Sequence, residues 1–384
     1  MEVLVLNAGS SSLKFAIIDS QTGSRRMTGI AERLGTTDAA ICIGGDIAPV
    51  PEGSLPAALR QALESAHGQF AAIGHRVVHG GSTFTQAARI NGAVMNAITA
   101  CVRFAPLHNP ANLAGIAATQ ELFPEIPQVA VFDTAFHQAM PEVAYRYAVP
   151  SAWYHDLGVR RYGFHGTSHR FVAQRAAELL RQPLNKLRLI TAHLGNGCSA
   201  CAIRDGVSVD TTMGLTPLEG LVMGTRSGDL DPGIIPYLMQ STGCSAQQII
   251  DDLNRRSGLL GLSDRSNDMR TLSAAAASGD APATLAIAVF CYRLAKSIAA
   301  LAVPLGRLDA LIFTGGIGEH SVEVRSNTLA LLGILGFSED PGANAQHGGL
   351  THGRITTRGT ALVIPTDEEL MIARDTADLL SPPH

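Results

Sequence analysis

The chain opens on a short apolar run, a polar loop and a second apolar run. Residues 3–6 are apolar, residues 7–12 (Asn-Ala-Gly-Ser-Ser-Ser) are polar or small, and residues 13–19 are mostly apolar, with Lys14 near their start. This pattern is typical of a buried β-hairpin. A loop of Gly and Ser can place backbone N–H groups and hydroxyls around a phosphate, with Lys14 as a nearby positive charge. An ordinary turn explains the same residues, so the first copy leaves both interpretations open.

The same pattern returns at half the chain length. An apolar run precedes the polar loop at residues 193–197 (His-Leu-Gly-Asn-Gly), and another apolar run follows it. Aligned without a gap, Asn7 falls on His193 and Gly9 on Gly195. A repeat at this distance predicts a duplicated domain. Two such loops facing each other could hold the phosphate chain of a nucleotide.

Further apolar segments predict strands that end at polar or glycine residues. They cover residues 71–78, 129–132, 311–314 and 361–365. In open α/β sheets, ligands collect at the carboxyl ends of the strands. The residues at or just past such ends are Asn7, Asp133, His193, Gly315 and Glu368. We therefore predict that one cleft contains them all, although Asp133 can also be a structural cap.

Arg76 is the charged residue inside the strand predicted over 71–78. An arginine in an apolar strand is costly unless it has an anionic partner. That partner is either a carboxylate of the fold, which makes a buried ion pair, or an anionic substrate. Both interpretations stay open at this point.

Helix signals separate the predicted strands. Asn109 is the expected N-cap of a helix with Pro110 at its first position. Thr366 and Glu369 form a capping box for the terminal helix, where Glu368 can also complement the helix dipole. Residues 35–56 predict surface hairpins, and an alanine-rich helical region follows residue 270. Helices are predicted over residues 57–67, 109–123, 168–181 and 283–301.

Two polar segments carry candidate chemistry. Residues 160–169 hold two arginines and two histidines broken by glycines, which suits an anion site at a helix N-terminus or a solvated basic loop. His165 and His169 are four apart, but Gly166 stands where a zinc peptidase motif has Glu, so a metal site is not expected. Residues 213–233 form a long glycine-rich loop whose only basic residue is Arg226. Loops of this length in compact domains tend to be functional.

Composition limits the class of protein. At 384 residues the chain is long enough for two domains with full cores. Hydrophobic residues make up 46% and charged residues 16%, as in compact soluble proteins. A net charge of -4 and a pI near 6.3 give no basic field for nucleic acid. We therefore expect small-molecule ligands and no nucleic-acid partner.

Cysteines and apolar stretches limit the compartment. Of the six cysteines, only Cys198 and Cys201 are close together, and a structural zinc site usually needs a second pair. The apolar run before Asn7 is too short for a secretory signal. The apolar window at 285–303 contains Arg293 and Lys296, which favours a buried helix over a membrane span. We expect reduced thiols, no membrane partner and a cytoplasmic protein.

Taken together, these motifs resemble the acetate kinase family of the actin, chaperone ATPase and sugar kinase superfamily. The resemblance covers nearly the whole chain, and seven motifs together make it specific. They are Asn7-Ala8-Gly9-Ser10-Ser11-Ser12-Leu13-Lys14, His75-Arg76-Val77-Val78-His79-Gly80-Gly81, Phe132-Asp133-Thr134-Ala135-Phe136-His137, Arg161-Tyr162-Gly163-Phe164-His165-Gly166-Thr167-Ser168-His169, His193-Leu194-Gly195-Asn196-Gly197, Met223-Gly224-Thr225-Arg226-Ser227-Gly228-Asp229-Leu230-Asp231-Pro232 and Gly316-Ile317-Gly318-Glu319.

The resemblance implies an α/β fold of two duplicated actin-like (ribonuclease H-like) domains around a nucleotide cleft. It implies the reaction ATP + acetate ⇌ ADP + acetyl phosphate, Mg²⁺ (or Mn²⁺) as cofactor and ATP/ADP as co-substrate. A homodimer is implied too. We expect one domain over residues 1–133 plus 370–384 and the other over 134–369, with a hinge that closes on nucleotide.

The resemblance also implies residue roles. Asp133, His165 and Arg226 would be catalytic, and Arg76 would bind the acetate carboxylate. The methyl pocket would consist of Val78, Leu107, Phe164 and Pro217, and the Mg²⁺ ligands would include Asn7 and Glu368. Because of its positive charge, Lys14 is also predicted to contact a phosphate of the nucleotide. The remaining nucleotide contacts would be His193, Leu194, Gly195, Asn196, Gly197, Asp268, Met269, Arg270, Gly316, Ile317, Gly318, Glu319 and His320.

The chemistry of the implied reaction agrees with these residue types. Acetate is already an anion at pH 7, so the nucleophile needs no general base. The main barrier is the electrostatic repulsion between acetate and the phosphoryl group. Two arginines, a histidine and Mg²⁺ reduce this repulsion during in-line transfer. Asp133 would then act through Mg²⁺ or its waters, or by orienting Arg76. His320 departs from the asparagine usual in the family, which puts one nucleotide contact and the nucleotide preference in doubt.

Three rival functions remain open from the sequence. Propionate or another short-chain acid could be the substrate, although Val78 restricts pocket depth and favours acetate. An actin- or chaperone-like ATPase would leave Arg76 and His165 without a role. A sugar kinase would need a general base beside a hydroxyl-lined pocket.

Overall fold

The computed structural model describes residues 1–9, 11–66 and 70–381. Its strands are β1 (Glu2–Ala8), β2 (Leu13–Asp19), β3 (Arg25–Glu32), β4 (Ala40–Ile43), β5 (Asp46–Pro49), β6 (Ala72–Val77), β7 (Ala88–Arg89), β8 (Gln128–Phe132), β9 (Arg188–Leu194), β10 (Cys198–Arg204), β11 (Val207–Thr211), β12 (Ala310–Thr314), β13 (Ser338–Glu339), β14 (Thr356–Arg358) and β15 (Ala361–Val363).

The α-helices lie between and after these strands. They are α1 (Leu55–Ala66), α2 (Gly92–Ala100), α3 (Asn109–Leu122), α4 (Glu142–Tyr145), α5 (Ser151–Leu157), α6 (Gly166–Leu180), α7 (Ile234–Thr242), α8 (Ala246–Arg255), α9 (Gly258–Ser263), α10 (Met269–Ala277), α11 (Ala281–Ala302), α12 (Gly315–His320), α13 (Val322–Leu331), α14 (Pro341–Ala345) and α15 (Glu368–Leu380). The end of the first predicted helix at His67 lies outside the described residues, as does Ser10 of the first polar loop.

The chain divides into two compact units. The first consists of Met1–Gln138, Gly166–Ser168 and Asp367–His384, and the second of Ala139–His165 and His169–Thr366. The sequence placed the boundaries after residue 133 and before residue 370. In the structure they lie after Gln138 and before Asp367.

Each unit is built on one main sheet, and five strands have the same order in both; β13 and β14 form a separate two-stranded sheet in the second unit. The sheet of the first unit runs β5-β4-β3-β2-β1-β6-β8-β7, and that of the second runs β11-β10-β9-β12-β15. In both, three antiparallel strands are followed by two strands parallel to the first strand of the unit. The α/β class and the duplication, predicted as two actin-like domains, are confirmed.

The two hairpins match closely in their first strands. β1 and β9 have seven residues each and occupy equivalent positions in the gapless alignment. The second strands differ by one residue: Ala8 pairs with Leu13, whereas Leu194 pairs with Cys198. The alignment therefore holds structurally up to the loop, and the second loop is one residue shorter.

The sheet of the first unit is covered on both faces. Because side chains alternate along a strand, Val3 and Val5 face one helix while Leu4 and Leu6 face the other layer. Val3 and Val5 pack with Ile372 of α15, and Leu4 and Leu6 pack with residues of α1. Gly74 on β6 lets α15 approach, since a Cβ there would lie 2.5 Å from Thr376 Oγ1.

Two predicted helix caps are wrong. The side chain of Asn109 is buried and binds the backbone of His79, with Oδ1 accepting from its N–H at 3.1 Å and Nδ2 donating to its C=O at 3.0 Å. It lies inside α3 and does not cap it. At α15 the N-cap is Asp367, whose carboxylate accepts from the N–H of Leu370 at 3.0 Å. For Asn109, a backbone group from a distant part of the chain competes for the side chain that the sequence pattern assigns to the helix end.

The longest helix, α11, lies in the second unit. Together with the turn after it (Ala281–Leu305) it is, among the described residues, the one helix that meets the length and composition of a membrane span. It packs against α9, α10 and α13. Its predicted apolar stripe is buried: Ile287, Phe290, Leu294, Ile298 and Leu301. None of the six cysteines, all of which lie in the described part of the chain, forms a disulfide.

Candidate active site

In the first unit, the carboxyl ends of three neighbouring strands bring together a cluster of charged and polar side chains around Arg76. The Arg76 guanidinium donates from Nε to Asp133 Oδ1 at 3.0 Å and from Nη2 to Asp133 Oδ2 at 2.6 Å. Its Nη1 donates to Asn7 Oδ1 at 3.2 Å, and its Nε lies 3.8 Å from Glu368 Oε2. A bidentate pair of this kind is among the stronger charge-assisted contacts in proteins. The sequence-predicted ion pair of Arg76 with a carboxylate of the fold is therefore present.

The exposure of this cluster is uneven. Asp133 is 1% exposed, whereas the side chains of Arg76 and Glu368 are 19% and 20% exposed. Burial lowers the pKa of Arg76, but the negative charges of Asp133 and Glu368 outweigh this and raise it above its ordinary value. The guanidinium thus stays charged, and about a fifth of the Arg76 side chain is exposed.

The four residues predicted for the methyl pocket lie in both units. In the first, Val78 is buried and its N–H donates to Asn112 Oδ1 at 3.1 Å, while Leu107 is 40% exposed. In the second, Phe164 is buried, and the carbonyl oxygen of Pro217 accepts from Arg226 at 2.7 Å. Their joint role as one pocket stays a prediction.

In the second unit, His165, His193 and Arg226 meet at the loop after β9. The rings of His165 and His193 stack with centroids 4.4 Å apart. A Cβ added to Gly197 would lie 3.1 Å from Arg226 Nη2 and 3.4 Å from His165 Nε2. A side chain at this position would require these groups to shift by a few tenths of an ångström, so glycine favours their close approach to the loop.

A serine that the sequence did not single out orients the histidines. Ser199 Oγ, on β10, lies 2.8 Å from both His165 Nδ1 and His169 Nε2, and His169 Nδ1 lies 2.7 Å from Thr191 Oγ1. Hydrogen bonding at Nδ1 fixes which way the His165 ring points and leaves Nε2 facing Gly197. A serine among apolar strand residues gives no sequence signal of this role.

A cavity of about 940 Å³ in the second unit collects most of the predicted nucleotide contacts. The predicted residues that line it are Gly195, Asn196, Asp268, Met269, Arg270, Gly316, Ile317 and His320. Further lining residues, which the sequence did not indicate, are Asn267, Ser273, Ser321, Val322 and Glu323. The volume falls within the range of small-molecule sites.

The remaining predicted nucleotide contacts lie elsewhere. His193 faces His165, Leu194 is a buried strand residue, and Gly318 is buried in α12. Glu319 Oε1 accepts from the N–H groups of Gly315 and Thr366. Lys14 belongs to the first unit, where it is exposed and borders a groove with Glu369.

Local structure explains how the cavity wall forms. The glycine turn predicted at residue 315 is the start of α12, where Gly315 has φ +74° and a Cβ added to it would lie 2.8 Å from the carbonyl oxygen of Leu194. Asp268 caps α10 by accepting from Thr271 N–H at 2.9 Å and also pairs with Arg270 at 3.0 Å. These hydrogen bonds, the one from Arg270 first, lower the pKa of Asp268.

The two arginines of the basic segment at residues 160–169 do not form the solvated loop that was one of its two expected structures. Arg161 pairs with Glu219 at 2.6 Å, and the guanidinium carbon of Arg160 lies 3.7 Å from the centroid of the Tyr145 ring. Both arginines are therefore used within the fold. The expectation of an anion site at this place now rests on His165.

Comparison with known proteins gives the family of the chain. The sequence model of the Acetokinase family matches residues 2–374. An acetate kinase from Deinococcus radiodurans is 56% identical over 388 residues, covering 98% of this chain and 98% of that protein. One from Ectopseudomonas mendocina is 53% identical with the same coverage.

Solved structures of an acetate kinase and a propionate kinase are also similar to this chain. A propionate kinase from Francisella tularensis has a TM-score of 0.94 and 45% identity, covering 98% of this chain and 99% of that one. Porphyromonas gingivalis acetate kinase has a TM-score of 0.90 and 41% identity, covering 99% and 100%. The chain belongs to the acetokinase family.

Proposed function

We propose that this protein is an acetate kinase that catalyses ATP + acetate ⇌ ADP + acetyl phosphate by direct transfer of the phosphoryl group to the carboxylate. Family membership supports the class of reaction. The observation that carries the proposal is the partly exposed Arg76, held by Asp133 and Asn7 at the ends of parallel strands. A fixed guanidinium suits recognition of a carboxylate, whose two oxygens match its geometry.

The proposed mechanism follows from charge. Acetate arrives as an anion and attacks a phosphoryl group that is also anionic, so no proton has to be removed from the nucleophile. Arg76 would bind the carboxylate, while Arg226 and His165 would stabilise negative charge on the phosphoryl oxygens during in-line transfer. Domain closure would bring the nucleotide and the acid together and exclude water.

Mg²⁺ is part of the proposal, with Mn²⁺ as an alternative. Asn7 Oδ1, Asp133 and Glu368 offer the hard oxygen donors that Mg²⁺ prefers. Over residues 1–9, 11–66 and 70–381, no group of three or more His, Cys, Asp or Glu side chains forms a metal site. Because Mg²⁺ usually keeps several of its waters and binds substrate phosphates, it needs only a few protein ligands. Bound there, Mg²⁺ would neutralise charge on the ATP phosphates.

A propionate kinase is the second candidate function, because a solved structure with that title matches 98% of this chain at 45% identity. One methylene in an apolar pocket is worth only about 1–3 kcal/mol, so the two acids differ modestly in reactivity. Val78 supports acetate as the better substrate, since its buried side chain restricts depth.

We also propose a cytoplasmic homodimer. The apolar side chains of Ile234, Tyr237 and Met239 on α7 are 38%, 66% and 41% exposed, which supports a surface for self-association.

The test of function is to trap acyl phosphate with hydroxylamine. Protein, ATP and Mg²⁺ are incubated separately with acetate, propionate, butyrate and glucose. We expect hydroxamate with acetate above propionate, and its loss in Arg76→Ala. Arg89→Ala is the matched control, because Arg89 is an exposed arginine of the same sheet. No hydroxamate from any acid, with steady ADP release, would instead indicate an ATPase.

A further inference from the structure

A cluster of three polar side chains in the second unit has no role in the proposed mechanism. Arg161 Nη2 donates to Glu219 Oε1 at 2.6 Å, and Tyr147 Oη donates to Glu219 Oε2. Both carboxylate oxygens of Glu219 therefore have a partner. The side chains of Arg161 and Glu219 are only 18% and 31% exposed, so this is not an ordinary surface ion pair.

The cluster also binds the backbone of the long loop. Arg161 Nη1 donates to the carbonyl oxygens of Thr212 and Met213 at 2.8 and 3.2 Å. Tyr147 Oη accepts from the N–H of Leu215 at 2.9 Å. One arginine, one tyrosine and one glutamate thus fix the first turns of the segment at residues 213–233.

The residues joined by the cluster are the neighbours of the candidate catalytic groups. Arg161 is four positions before His165, on the segment that leads into α6. Glu219 is two positions after Pro217, whose carbonyl oxygen accepts from Arg226 Nη1 at 2.7 Å. The Arg161–Glu219 pair therefore connects the segment of His165 to the loop of Arg226.

Gly214 leaves space for the Glu219 carboxylate because it has no side chain. A Cβ added to Gly214 would overlap Glu219 Oε2 and Tyr147 Oη. Backbone N–H groups of Tyr162 and Gly163 donate to the Gly214 carbonyl oxygen at 3.0 and 3.4 Å. The two segments are thus in direct backbone contact where Glu219 approaches.

We propose that Glu219 is a positioning residue for phosphoryl transfer: with Arg161 and Tyr147 it sets the place of Arg226 relative to His165. Glu219 contacts neither substrate nor nucleotide in this proposal, and it acts through the loop. The inference rests on the proposed function, because Arg226 and His165 are assigned to the moving phosphoryl group there. Misplacing such a group by about 1 Å can cost about 100-fold in rate.

The first test is steady-state kinetics of Glu219→Gln, which keeps the shape and removes the charge. We expect kcat to fall roughly 10- to 100-fold, with the KM for ATP changed less than about threefold, because only the transition state needs Arg226 and His165 both in place. Tyr147→Phe should show a smaller loss in the same parameter. The matched control is Glu178→Gln, which removes an exposed ion pair to Arg175 in the same unit and should leave kcat unchanged.

The second test separates positioning from a merely structural role. In an Arg226→Ala background, Glu219→Gln should cause no further loss of kcat if Glu219 acts through Arg226, since coupled residues are not additive. Equal losses in both backgrounds, or an unchanged kcat in Glu219→Gln, would overturn the proposal. Melting temperatures of all variants confirm that the folded fraction is the same.

A failure of the proposed function is distinguishable from a failure of this inference. If the wild-type protein phosphorylates no carboxylate, the function is wrong, and the kinetics of Glu219→Gln are then followed as ATP hydrolysis. In that case amide exchange of residues 213–233 tests the positioning: it should accelerate in Glu219→Gln but not in Glu178→Gln.

Discussion

The hairpins β1–β2 and β9–β10 have the same frame but support different chemistry. Both first strands have seven residues, and they occupy equivalent positions in their sheets: β1 lies between β2 and β6, and β9 lies between β10 and β12. At the end of β1, Asn7 contacts Arg76 in a cluster with two carboxylates. At the end of β9, His193 stacks on His165, and Asn196 lines a cavity. The duplicated fold therefore fixes where side chains gather, while the residues at each strand end decide what they can bind.

A second difference lies deeper in the two sheets. His75 is paired beside Leu6 in the first unit, and Phe313 occupies the equivalent place beside Ala192 in the second. His75 is buried and lies 3.1 Å from Gln128 Oε1. The first unit thus contains a buried titratable group at a place where the second contains an apolar ring.

The largest effect is expected at the end of the first hairpin. Asp133→Asn removes the charge that holds Arg76, and we expect kcat to fall at least about 100-fold, because a guanidinium misplaced by about 1 Å no longer positions the acid for in-line transfer. The dependence on Mg²⁺ should shift to higher concentration in a titration of initial rates.

The control for this substitution comes from the second hairpin. Asp205→Asn breaks a partly exposed pair with Arg188 and should change kcat less than about twofold. A near-normal rate and Mg²⁺ dependence in Asp133→Asn would contradict the role assigned to the first cluster.

An intermediate effect is expected on stability at low pH. Burial lowers the pKa of His75 to about 4, whereas the unfolded chain protonates it near 6.5. The unfolded state therefore binds more protons between these values, and the free energy of unfolding falls as pH drops from about 6.5 to 4, by about 3 kcal/mol at most. Urea unfolding at pH 7 and 4.5 measures this.

The matching variant is His75→Gln, which keeps a hydrogen-bonding side chain without the titration. Its stability should depend less on pH over this range than that of the wild type. Identical pH dependence in both proteins would place the acid sensitivity in groups other than His75.

The smallest effects are expected for substitutions at or just past the ends of the two first strands, where one should change kcat and the other the KM for ATP. Asn7→Ala should lower kcat roughly 10-fold, because Asn7 contacts the cluster around Arg76. Asn196→Ala should raise the KM for ATP by a similar factor and leave kcat nearly unchanged, because Asn196 lines the cavity. Each variant is the control of the other in one set of kinetic measurements. The same parameter changing in both would mean that the loops do not differ in function.

The sequence predicts the frame of this molecule well, because apolar runs of strand length have few alternatives. The strands before Asp133 and His193 are found as predicted, and the apolar stripe of α11 is buried. These features depend on residues near each other in the chain, so their pattern is readable without the fold.

The parts that escape prediction depend on distant partners. Glu219 and Arg161 are 58 positions apart, and Ser199 is 34 positions from His165. Nothing in the local pattern distinguishes Asn109, which binds the backbone of His79, from an N-cap. Polar side chains choose among several partners of similar energy, and only the folded chain decides between them.

The docking of α15 on the first sheet has a consequence for synthesis. Residues 368–380 supply Ile372 and Ala373 to the core that β1 begins. A ribosome releases β1 first and α15 more than 350 residues later, so the first unit cannot complete its core until translation has passed the whole second unit. The second unit, nearly continuous in sequence, can fold before it. The first unit therefore completes its hydrophobic core only after the second unit has been synthesised.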